Sequence, residues 1–523
     1  MSADGGSPRR RVVLLHGWGS SAAVFSGFAA ELRGFADVTT LELPAHGARR
    51  SEPFPANVEV LLEWLRSQVP AGSVLIGWSL GGLLGLHLAM RHPRHLAGLV
   101  TIATSPCFLS RSDWPFGMEH GAWDAFRDEL VRDPAALLAR FAALQSRGEH
   151  RARELARTLR AAAGTVPEST DGLLLALDAL GVPDLRRQLA AIETPVLAVF
   201  GEHDAIVDAR IADEWLRLQP GASVWVVPGA GHCPFLGAPR ALAARIEDFI
   251  ATRLETLEWT APCKHAIAES FGRAASGYEA AAVLQRRTGA MLLELLPPGG
   301  AARVLDLGSG TGHFSGVLAA RFTAAQIVGI DLAEGMVRHA SATVGGVGCG
   351  IGWVRGDAEQ LPLASASIDL VFSNLALQWC ASPLPALREV ARVLARGGRA
   401  VIATLADDTL WELRAAWRAV DRGVHVNRFE SIAALRAAVP MAGLRLRVLE
   451  QCYLRVAYRD VRTLAHELRA LGAHNINPGR APGLAGRHAW ARLQGAYALL
   501  ADAAGMLPAS WRIVRLVLER ADG

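Results

Sequence analysis

The chain has 523 residues, of which 51% are hydrophobic, and its formal net charge is +4. This length exceeds one typical domain and predicts two or three. The sequence has no apolar run of about 18 residues and no apolar stretch after its polar, basic start, so it predicts neither a membrane span nor a signal peptide. Its six cysteines form no CxxC pair and no cluster with histidine, which indicates no disulfide framework and no zinc site. We therefore expect a cytoplasmic protein without a metal.

Short apolar runs in the first half of the chain predict strands that alternate with helices. The predicted strands cover residues 11–15, 38–43, 73–75, 99–103, 196–200 and 223–227. Helices are predicted around 58–68 and, as an amphipathic closing helix, over 241–254. Strands that alternate with helices in this way are typical of a parallel, doubly wound α/β sheet.

The strand at 73–75 leads into a glycine-flanked serine. This segment reads Ile76-Gly77-Trp78-Ser79-Leu80-Gly81-Gly82 and precedes an apolar run with a helical pattern. The GxSxG pattern predicts a sharp strand-to-helix turn with the Ser79 hydroxyl exposed above the sheet. Because GxSxG also occurs by chance, its meaning depends on the residues that follow the other strands.

Those residues complete a catalytic triad. Asp204 and His232 follow the last two predicted strands, which gives the order Ser…Asp…His of α/β hydrolases. We predict that Ser79 is the nucleophile, His232 the general base and Asp204 the acid that orients it, with Asp208 as a rival for the last role. A His-Gly-Trp-Gly loop after the first strand predicts that the backbone N–H groups of Trp18 and Leu80 receive the oxyanion.

An insertion of helical character, about 105–184, separates the strands at 99–103 and 196–200. We expect it to form a cap over Ser79 that selects the substrate. Arg153, Arg157 and Arg160 recur at helical spacing and therefore share one face. This face is either a solvated basic surface or a docking surface for an acidic partner. Nucleic acid is a poorer candidate because no recognition motif accompanies the arginines.

A linker broken by Pro262, residues 255–264, is predicted to separate a domain at 1–254 from one at 265–523. In the second domain, an apolar strand runs into a glycine loop over 303–312. The spacing of this loop, and Asp306 within it, favours S-adenosylmethionine over NAD. Polar residues after the next strands are placed to hold the ribose, the adenine amine and the rest of the cofactor. The predicted cofactor-binding residues are Asp306, Gly308, Gly310, Gly312, Asp331, Asp357 and Asn374.

Several motifs of residues 11–254 resemble the pimeloyl-acyl-carrier-protein methyl ester carboxylesterase of biotin synthesis. They are His16-Gly17-Trp18-Gly19, the elbow Gly77 to Gly82, Cys107-Phe108, Asp113-Trp114-Pro115, Arg140 to Gln145 and His232-Cys233-Pro234-Phe235. The resemblance implies a substrate site lined by Trp18, Ser79, Leu80, Phe141, Ala142, Ala143, Leu144, Gln145 and His232. It also implies carrier-protein docking by Arg140, Arg153 and Arg157. A further docking arginine of the family falls on Ala136 in this chain.

Residues 265–520 resemble malonyl-acyl-carrier-protein O-methyltransferase. The motifs are Ala266 to Tyr278, Leu284-Gln285-Arg286, Asp357 to Leu363, and Ser373 to Cys380, with a looser match after Pro440 apart from 468–474 and 479–480. The resemblance implies methylation of the malonyl carboxylate. That carboxylate is ionised at pH 7 and is already a nucleophile, so it needs alignment rather than a general base. Tyr278, Arg273 and Trp379 are candidates for orienting it, or serve only in packing and surface charge.

Together the two resemblances imply a bifunctional enzyme of biotin-precursor synthesis whose partner is an acyl-carrier protein, with neither nucleic acid nor a membrane as a partner. Two alternatives stay open on the sequence. One is a generic carboxylesterase fused to a small-molecule methyltransferase. The other is a chain in which one half only docks the carrier protein.

Overall fold

The structure is a computed structural model that describes residues 9–164, 169–254, 263–345, 350–421, 423–473 and 486–521. The chain divides into two compact units, residues 1–257 and 258–523. Most of the predicted linker lies outside the described residues, as do His474, Gly479 and Arg480 of the predicted family match. Within the described ranges, no helix has the length and apolar character needed to cross a bilayer.

A six-stranded parallel sheet forms the centre of the first unit, in the order β2-β1-β3-β4-β5-β6. The strands are β1 Arg10–Leu15, β2 Ala36–Leu41, β3 Ser73–Trp78, β4 Leu96–Ile102, β5 Val196–Gly201 and β6 Ser223–Val227. Every residue of β3 is buried, as expected for a central strand covered on both faces. The carboxyl ends of β3, β5 and β6 therefore meet at one edge, where the predicted triad residues follow.

Helices surround this sheet, and four of them lie between β4 and β5. The helices are α1 Ser26–Leu32, α2 Val58–Gln68, α3 Leu80–Arg91, α4 His120–Arg132, α5 Pro134–Gln145, α6 Ala152–Ala163, α7 Asp171–Gly181, α8 Ile211–Leu218, α9 Pro234–Gly237 and α10 Pro239–Phe249. We call α4 to α7 the cap. Helix α6 is amphipathic, burying Leu155, Ala156 and Leu159 while its arginines stay exposed.

The second unit contains a seven-stranded sheet in the order β12-β13-β11-β10-β7-β8-β9. The strands are β7 Arg303–Leu307, β8 Gln326–Asp331, β9 Ile351–Arg355, β10 Ile368–Asn374, β11 Leu394–Leu405, β12 Leu444–Tyr458 and β13 Leu507–Arg520. Strand β13 pairs antiparallel with β11 and β12, and the other pairs are parallel. The strand order reverses beside β7, which is where open α/β sheets bind ligands.

Helices pack on both faces of the second sheet. They are α11 Lys264–Ala274, α12 Tyr278–Ala281, α13 Val283–Leu293, α14 His313–Arg321, α15 Glu334–Thr343, α16 Pro383–Val393, α17 Trp411–Arg418, α18 Ile432–Met441, α19 Val461–Ala470 and α20 Arg487–Ala498. Alternate residues of β7 enter different hydrophobic cores, Leu305 one and Val304 the other. This alternation follows from the two-residue period of a strand.

The predicted fold class, an α/β hydrolase with a helical cap followed by a Rossmann-like methyltransferase, is confirmed. The second predicted strand was placed too late in the chain. It ends at Leu41 because the N–H of Leu43 donates to Nε2 of His16 at 3.1 Å instead of to a neighbouring strand.

Candidate active sites

Ser79 lies on a strained turn between β3 and α3. Its φ is 54° and its ψ is −114°, a conformation that non-glycine residues rarely adopt. The turn can be this tight only beside glycines, because a Cβ on Gly77 would lie 2.3 Å from the carbonyl oxygen of Gly81. A Cβ on Gly81 would lie equally close to the carbonyl oxygen of Leu15. The two glycines therefore permit the tight turn, and the turn fixes the direction of the Ser79 side chain.

His232 and Asp204 form a buried pair after β6 and β5. Nδ1 of His232 lies 2.8 Å from Oδ2 of Asp204, and both side chains are fully buried. Oδ1 of Asp204 accepts the backbone N–H groups of Ile206 and Val207 at 2.8 and 3.0 Å. The carboxylate is thus fixed from both sides, and its contact with Nδ1 leaves Nε2 as the ring nitrogen with a free lone pair.

Asp208, the rival acid, lies elsewhere. Its carboxylate pairs with Arg210 on the surface, at 2.5 Å.

Nε2 of His232 is buried and has no hydrogen-bond partner among the described residues, so the Ser79–His232 hydrogen bond is not formed in this structure. Catalytic hydrogen bonds of this kind often form only when substrate is bound. The indole N–H of Trp78 donates to the carbonyl of His232 at 2.9 Å, which ties the histidine to the elbow strand.

The predicted oxyanion loop is held by a neutral histidine. Burial lowers the pKa of His16 to about 3. Because Nε2 of His16 accepts from Leu43, its Nδ1 carries the proton and donates to the carbonyl of Gly17 at 2.8 Å. The Trp18 indole N–H donates to the carbonyl of Leu173 in α7 at 2.8 Å, so the same loop also anchors the cap.

Cap residues contact both the oxyanion loop and the histidine loop. The ring of Phe141 packs edge-on against Trp18 with centroids 5.5 Å apart. The carbonyl of Gln145 accepts the N–H of His232 at 3.3 Å. Of the remaining predicted lining residues, Ala142 is buried, Leu144 is half-buried and Ala143 is exposed. Glu149 was missed in the sequence, although its carboxylate binds the residue before His232.

The three arginines predicted to dock a carrier protein differ in their surroundings. Arg153 and Arg157 are exposed on α6, and no hydrogen bond or ion pair within the described residues engages their side chains. Arg140 is also exposed, but both of its terminal nitrogens bind the carboxylate of Glu129. Arg153 and Arg157 are therefore the cations of this set that remain available to an acidic partner.

In the second unit, residues of the predicted glycine loop line an open cavity at the carboxyl end of β7. Gly308, Gly310 and Gly312 all have positive φ, at 77°, 54° and 85°. Each position therefore favours glycine, because side chains strain this backbone. Gly308 and Gly310 line the cavity, whereas a Cβ on Gly312 would lie 2.5 Å from the ring of Trp353.

Asp331 binds the glycine loop, and Asp306 binds the helix that follows it. Oδ2 of Asp331 accepts the N–H of Gly310 at 2.9 Å, and its Oδ1 accepts that of Ala333 at 2.8 Å. Asp331 also lines the cavity and keeps acceptor capacity for a ligand hydroxyl. Asp306 does not line the cavity. It is buried and accepts a hydrogen bond from Ser315 of α14 at 2.5 Å, and burial raises its pKa to about 7.

Asp357 lines the cavity but is already paired. Its Oδ2 lies 2.5 Å from Nζ of Lys264, the only lysine of the chain, which also binds Glu359. Asn374 presents an acceptor to the cavity, because its Nδ2 donates to the carbonyl of Gln285 while its buried Oδ1 has no partner among the described residues. This orphaned oxygen, the glycine loop and the carboxylates give the cavity the donor and acceptor set that suits a nucleoside cofactor with an amino-acid group.

Two of the three residues proposed to orient the methyl acceptor line this cavity, namely Tyr278 and Trp379. Arg273 does not line this cavity. Its side chain is 71% exposed and lies 3.7 Å from Glu269. Sequence patterns alone could not separate the three residues, because each belongs to a helix or turn whose exposed face they do not reveal.

The two units thus define a chain that joins an α/β hydrolase to a methyltransferase. Family models agree: the alpha/beta hydrolase fold matches residues 10–239, and the methyltransferase domain matches residues 305–402. The chain is 38% identical to "Biotin biosynthesis bifunctional protein BioHC" of Cellvibrio japonicus, over 97% of this chain and 98% of that protein. The corresponding protein of Teredinibacter turnerae is 34% identical, over 98% and 94%.

The second unit alone is also similar to a separate enzyme. "Malonyl-[acyl-carrier protein] O-methyltransferase" of Methylococcus capsulatus is 43% identical, over 50% of this chain and 94% of that protein. The full-length matches cover both units in the same order. The chain belongs to the family of biotin biosynthesis bifunctional proteins.

Proposed function

We propose that the second unit uses S-adenosylmethionine to methylate the free carboxylate of malonyl-acyl-carrier protein, and that the first unit hydrolyses the methyl ester of pimeloyl-acyl-carrier protein. One observation carries this proposal: the same chain contains both sites. The first unit has a strained turn at Ser79 and a buried His232–Asp204 pair, and the second unit has a cavity lined by a glycine loop. The names of the full-length and half-length relatives support the choice of substrates.

In the proposed hydrolysis, Oγ of Ser79 attacks the ester carbonyl and its proton passes to Nε2 of His232. The oxyanion is stabilised by the backbone N–H groups of Trp18 and Leu80. His232 then gives the proton to the departing methoxy group, so methanol leaves and the acyl group remains on Ser79. A water molecule, deprotonated by His232, repeats the sequence and releases the free acid. Asp204 stabilises the imidazolium throughout.

In the proposed methylation, the cofactor supplies an electrophilic methyl group on a positively charged sulfur. When the donor is bound, a substrate carboxylate oxygen aligned with that methyl group would bond to its carbon, and the electron pair of the broken carbon–sulfur bond would stay on sulfur. No proton moves, so this chain need only align the acceptor and exclude water. We assign the loop of Gly308 and Gly310, with Asp331, Asp357 and Asn374, to cofactor binding. Asp306 and Gly312 support the loop indirectly.

The two activities would cancel each other on one molecule unless chain elongation separates them. A methyl ester hides a charge that is costly to bury in apolar pockets of fatty-acid synthesis. Two rounds of elongation then lengthen malonyl to pimeloyl before the ester is removed. Each buried CH₂ contributes about 0.8 kcal/mol, so four extra carbons under the cap give about 3 kcal/mol, or roughly a hundredfold preference for the long ester.

Arg153 and Arg157 are proposed to receive the acidic carrier protein at the cap, because both are exposed and carry no acidic partner among the described residues. Arg140 is assigned a smaller part of the binding to the carrier protein, because Glu129 already neutralises its charge.

Complementation tests the proposal in cells. Two biotin-requiring bacterial strains, one lacking each activity, would receive the wild-type chain, Ser79→Ala or Asp331→Ala. The wild type should restore growth without biotin in both strains. Ser79→Ala should rescue only the strain that lacks the methyltransferase, and Asp331→Ala only the strain that lacks the esterase. Failure of the wild-type chain in either strain, with the protein present in the cells, would contradict the assignment.

A further inference from the structure

A second cavity adjoins the cofactor cavity of the methyltransferase unit. The two share a wall made of Phe271, Tyr278, Leu375 and Trp379. The second cavity is lined mainly by leucines and aromatic rings. A group bound there would lie next to the cofactor, which is the position required of a methyl acceptor. In so apolar a cavity, the few polar groups decide which acceptor is bound.

One of these polar groups is His425, and its ring is fixed from two sides. It stacks on the indole of Trp417 at the end of α17, with centroids 3.8 Å apart and planes at 6°. Its Nε2–H donates to Oδ1 of Asp421 at 2.6 Å. The side chain of His425 is only 16% exposed and lines the cavity. Because Asp421 occupies Nε2, Nδ1 is the ring nitrogen left for a ligand.

A second polar group is the indole N–H of Trp511 on β13. Trp511 is buried, lines the same cavity, and its Nε1 has no hydrogen-bond partner among the described residues. A buried N–H without an acceptor is rare in proteins, and each case calls for an explanation. A ligand that brings an oxygen atom into the cavity would satisfy this donor.

We propose that His425 and Trp511 bind the oxygens of a malonyl group, with His425 as an imidazolium that pairs with the carboxylate to be methylated. Asp421 and Trp417 are positioning residues that hold the His425 ring. The assignment rests on the proposed malonyl methyl transfer. An imidazolium donates from both nitrogens, so one ring bridges Asp421 and the substrate carboxylate.

This arrangement makes the second cavity selective for acyl chains that end in a carboxylate. A neutral acyl chain fits the apolar wall but leaves His425 without its second charge partner. The arrangement also favours product release, because the methyl ester no longer carries the charge that His425 binds. The transfer itself needs no proton from His425, which keeps the same protonation state before and after the reaction.

The test compares His425→Leu with His265→Leu in the full-length chain. His265 is a matched control, because it also pairs with an acid four residues away, Glu269, but is exposed and lines neither cavity. Three quantities would be measured: the KM for malonyl-carrier protein, the Ki of butyryl-carrier protein as a neutral analogue, and the Kd for S-adenosylmethionine by calorimetry.

We expect His425→Leu to raise the KM for malonyl-carrier protein about 10- to 100-fold, the range expected for a lost charged hydrogen bond. The Ki of butyryl-carrier protein and the cofactor Kd should change less than about twofold. Trp511→Phe, which removes only the N–H, should raise the malonyl KM several-fold. His425→Gln should recover part of the loss, and His265→Leu should behave as wild type.

Asp421→Asn provides the same test at an exposed position, should His425→Leu fail to fold. It should lower the ratio of malonyl to butyryl affinity without changing cofactor binding. If His425→Leu or Asp421→Asn leaves that ratio unchanged while the wild-type chain methylates malonyl-carrier protein, this inference is wrong and the proposed function stands. If the wild-type chain does not methylate malonyl-carrier protein, the proposed function fails and this inference fails with it.

Discussion

Oε1 of Glu149, in the cap, accepts the backbone N–H of Gly231 at 2.6 Å. Gly231 directly precedes His232, and the carbonyl of Gln145 binds the N–H of His232 itself. The loop that carries His232 is therefore held by the cap as well as by the sheet. Cap position and histidine position are coupled, so a change in the cap can alter the chemistry as well as substrate choice.

Replacing Glu149 tests this coupling. Glu149→Ala leaves the N–H of the buried Gly231 without an acceptor, which costs about 1–3 kcal/mol and loosens the histidine loop. We expect kcat for ester hydrolysis to fall about tenfold or more, measured on a small methyl ester that does not need the carrier protein. Glu149→Gln keeps an accepting oxygen and should stay near wild type. Glu154→Ala, which removes an exposed cap glutamate bound to Arg151, is the control.

The acid of the triad can be identified by a matched pair of variants. Asp204→Asn would present an amide to Nδ1 of His232 and favour the wrong imidazole tautomer, so kcat should fall about 10⁴-fold. Asp208→Asn breaks only a surface pair with Arg210 and should change kcat less than twofold. Steady-state hydrolysis of the same ester measures both. Equal losses in the two variants would contradict the assignment of Asp204.

Charge reversal on α6 tests carrier docking. The double variant Arg153→Glu/Arg157→Glu should raise the KM for carrier-linked pimeloyl methyl ester about tenfold or more, since each reversed charge now repels an acidic partner. The KM for a free small ester should not change. The effect should shrink as salt is raised from low to about 0.5 M, because salt screens charges between exposed groups. Arg33→Glu, on an exposed residue outside the cap, should have no effect.

The buried carboxyl group of Asp306 should make the stability of the methyltransferase unit depend on pH. Its pKa is raised from 3.8 to about 7 by burial, so the folded unit holds a proton that the unfolded chain has lost. Its contribution to stability is therefore complete below about pH 4 and is lost as the pH rises toward 7, by at most about 1.4 kcal/mol per pH unit. Asp331, whose pKa burial also raises, acts in the same direction.

The measurement is hydrogen exchange of β7 in the full-length chain between pH 5 and 7.5, corrected for the intrinsic exchange rate. Asp306→Asn keeps an acceptor for Ser315 but cannot ionise, so its stability should depend less steeply on pH than that of the wild type. Identical slopes in the two proteins would contradict the raised pKa of Asp306, because they would show that the folded unit already has this carboxyl ionised at pH 5.

The sequence predicted those parts of the fold and sites that local patterns encode. Apolar runs predicted the strands before Ser79, Asp204, His232 and Asp331. The glycine patterns predicted both loops, because those positions need a positive φ or a close approach of the backbone. The C-terminal strands β12 and β13 were not predicted, since their long antiparallel pairing joins segments about 60 residues apart and leaves no local signal.

The residues missed in the sites share one property: their roles depend on distant neighbours. Glu149 acts through Gly231, Lys264 through Asp357, and His425 lines a cavity together with Trp511 of β13. Arg273 shows the converse, because a charge beside a matching motif proved to lie on an exposed surface. Only tertiary structure could separate these cases.

The central claim is that one chain carries two independent carrier-protein activities, and a reconstituted assay tests it most directly. Purified wild type, Ser79→Ala and Asp331→Ala would each be given malonyl-carrier protein with S-adenosylmethionine and, separately, pimeloyl-carrier protein methyl ester. Mass spectrometry of the carrier protein would then follow methyl gain and methyl loss. We predict that Ser79→Ala retains methyl transfer but loses hydrolysis by about 10⁶-fold, and that Asp331→Ala does the reverse. Hydrolysis of the pimeloyl ester by Ser79→Ala at the wild-type rate, or methyl transfer unchanged in Asp331→Ala, would contradict the account.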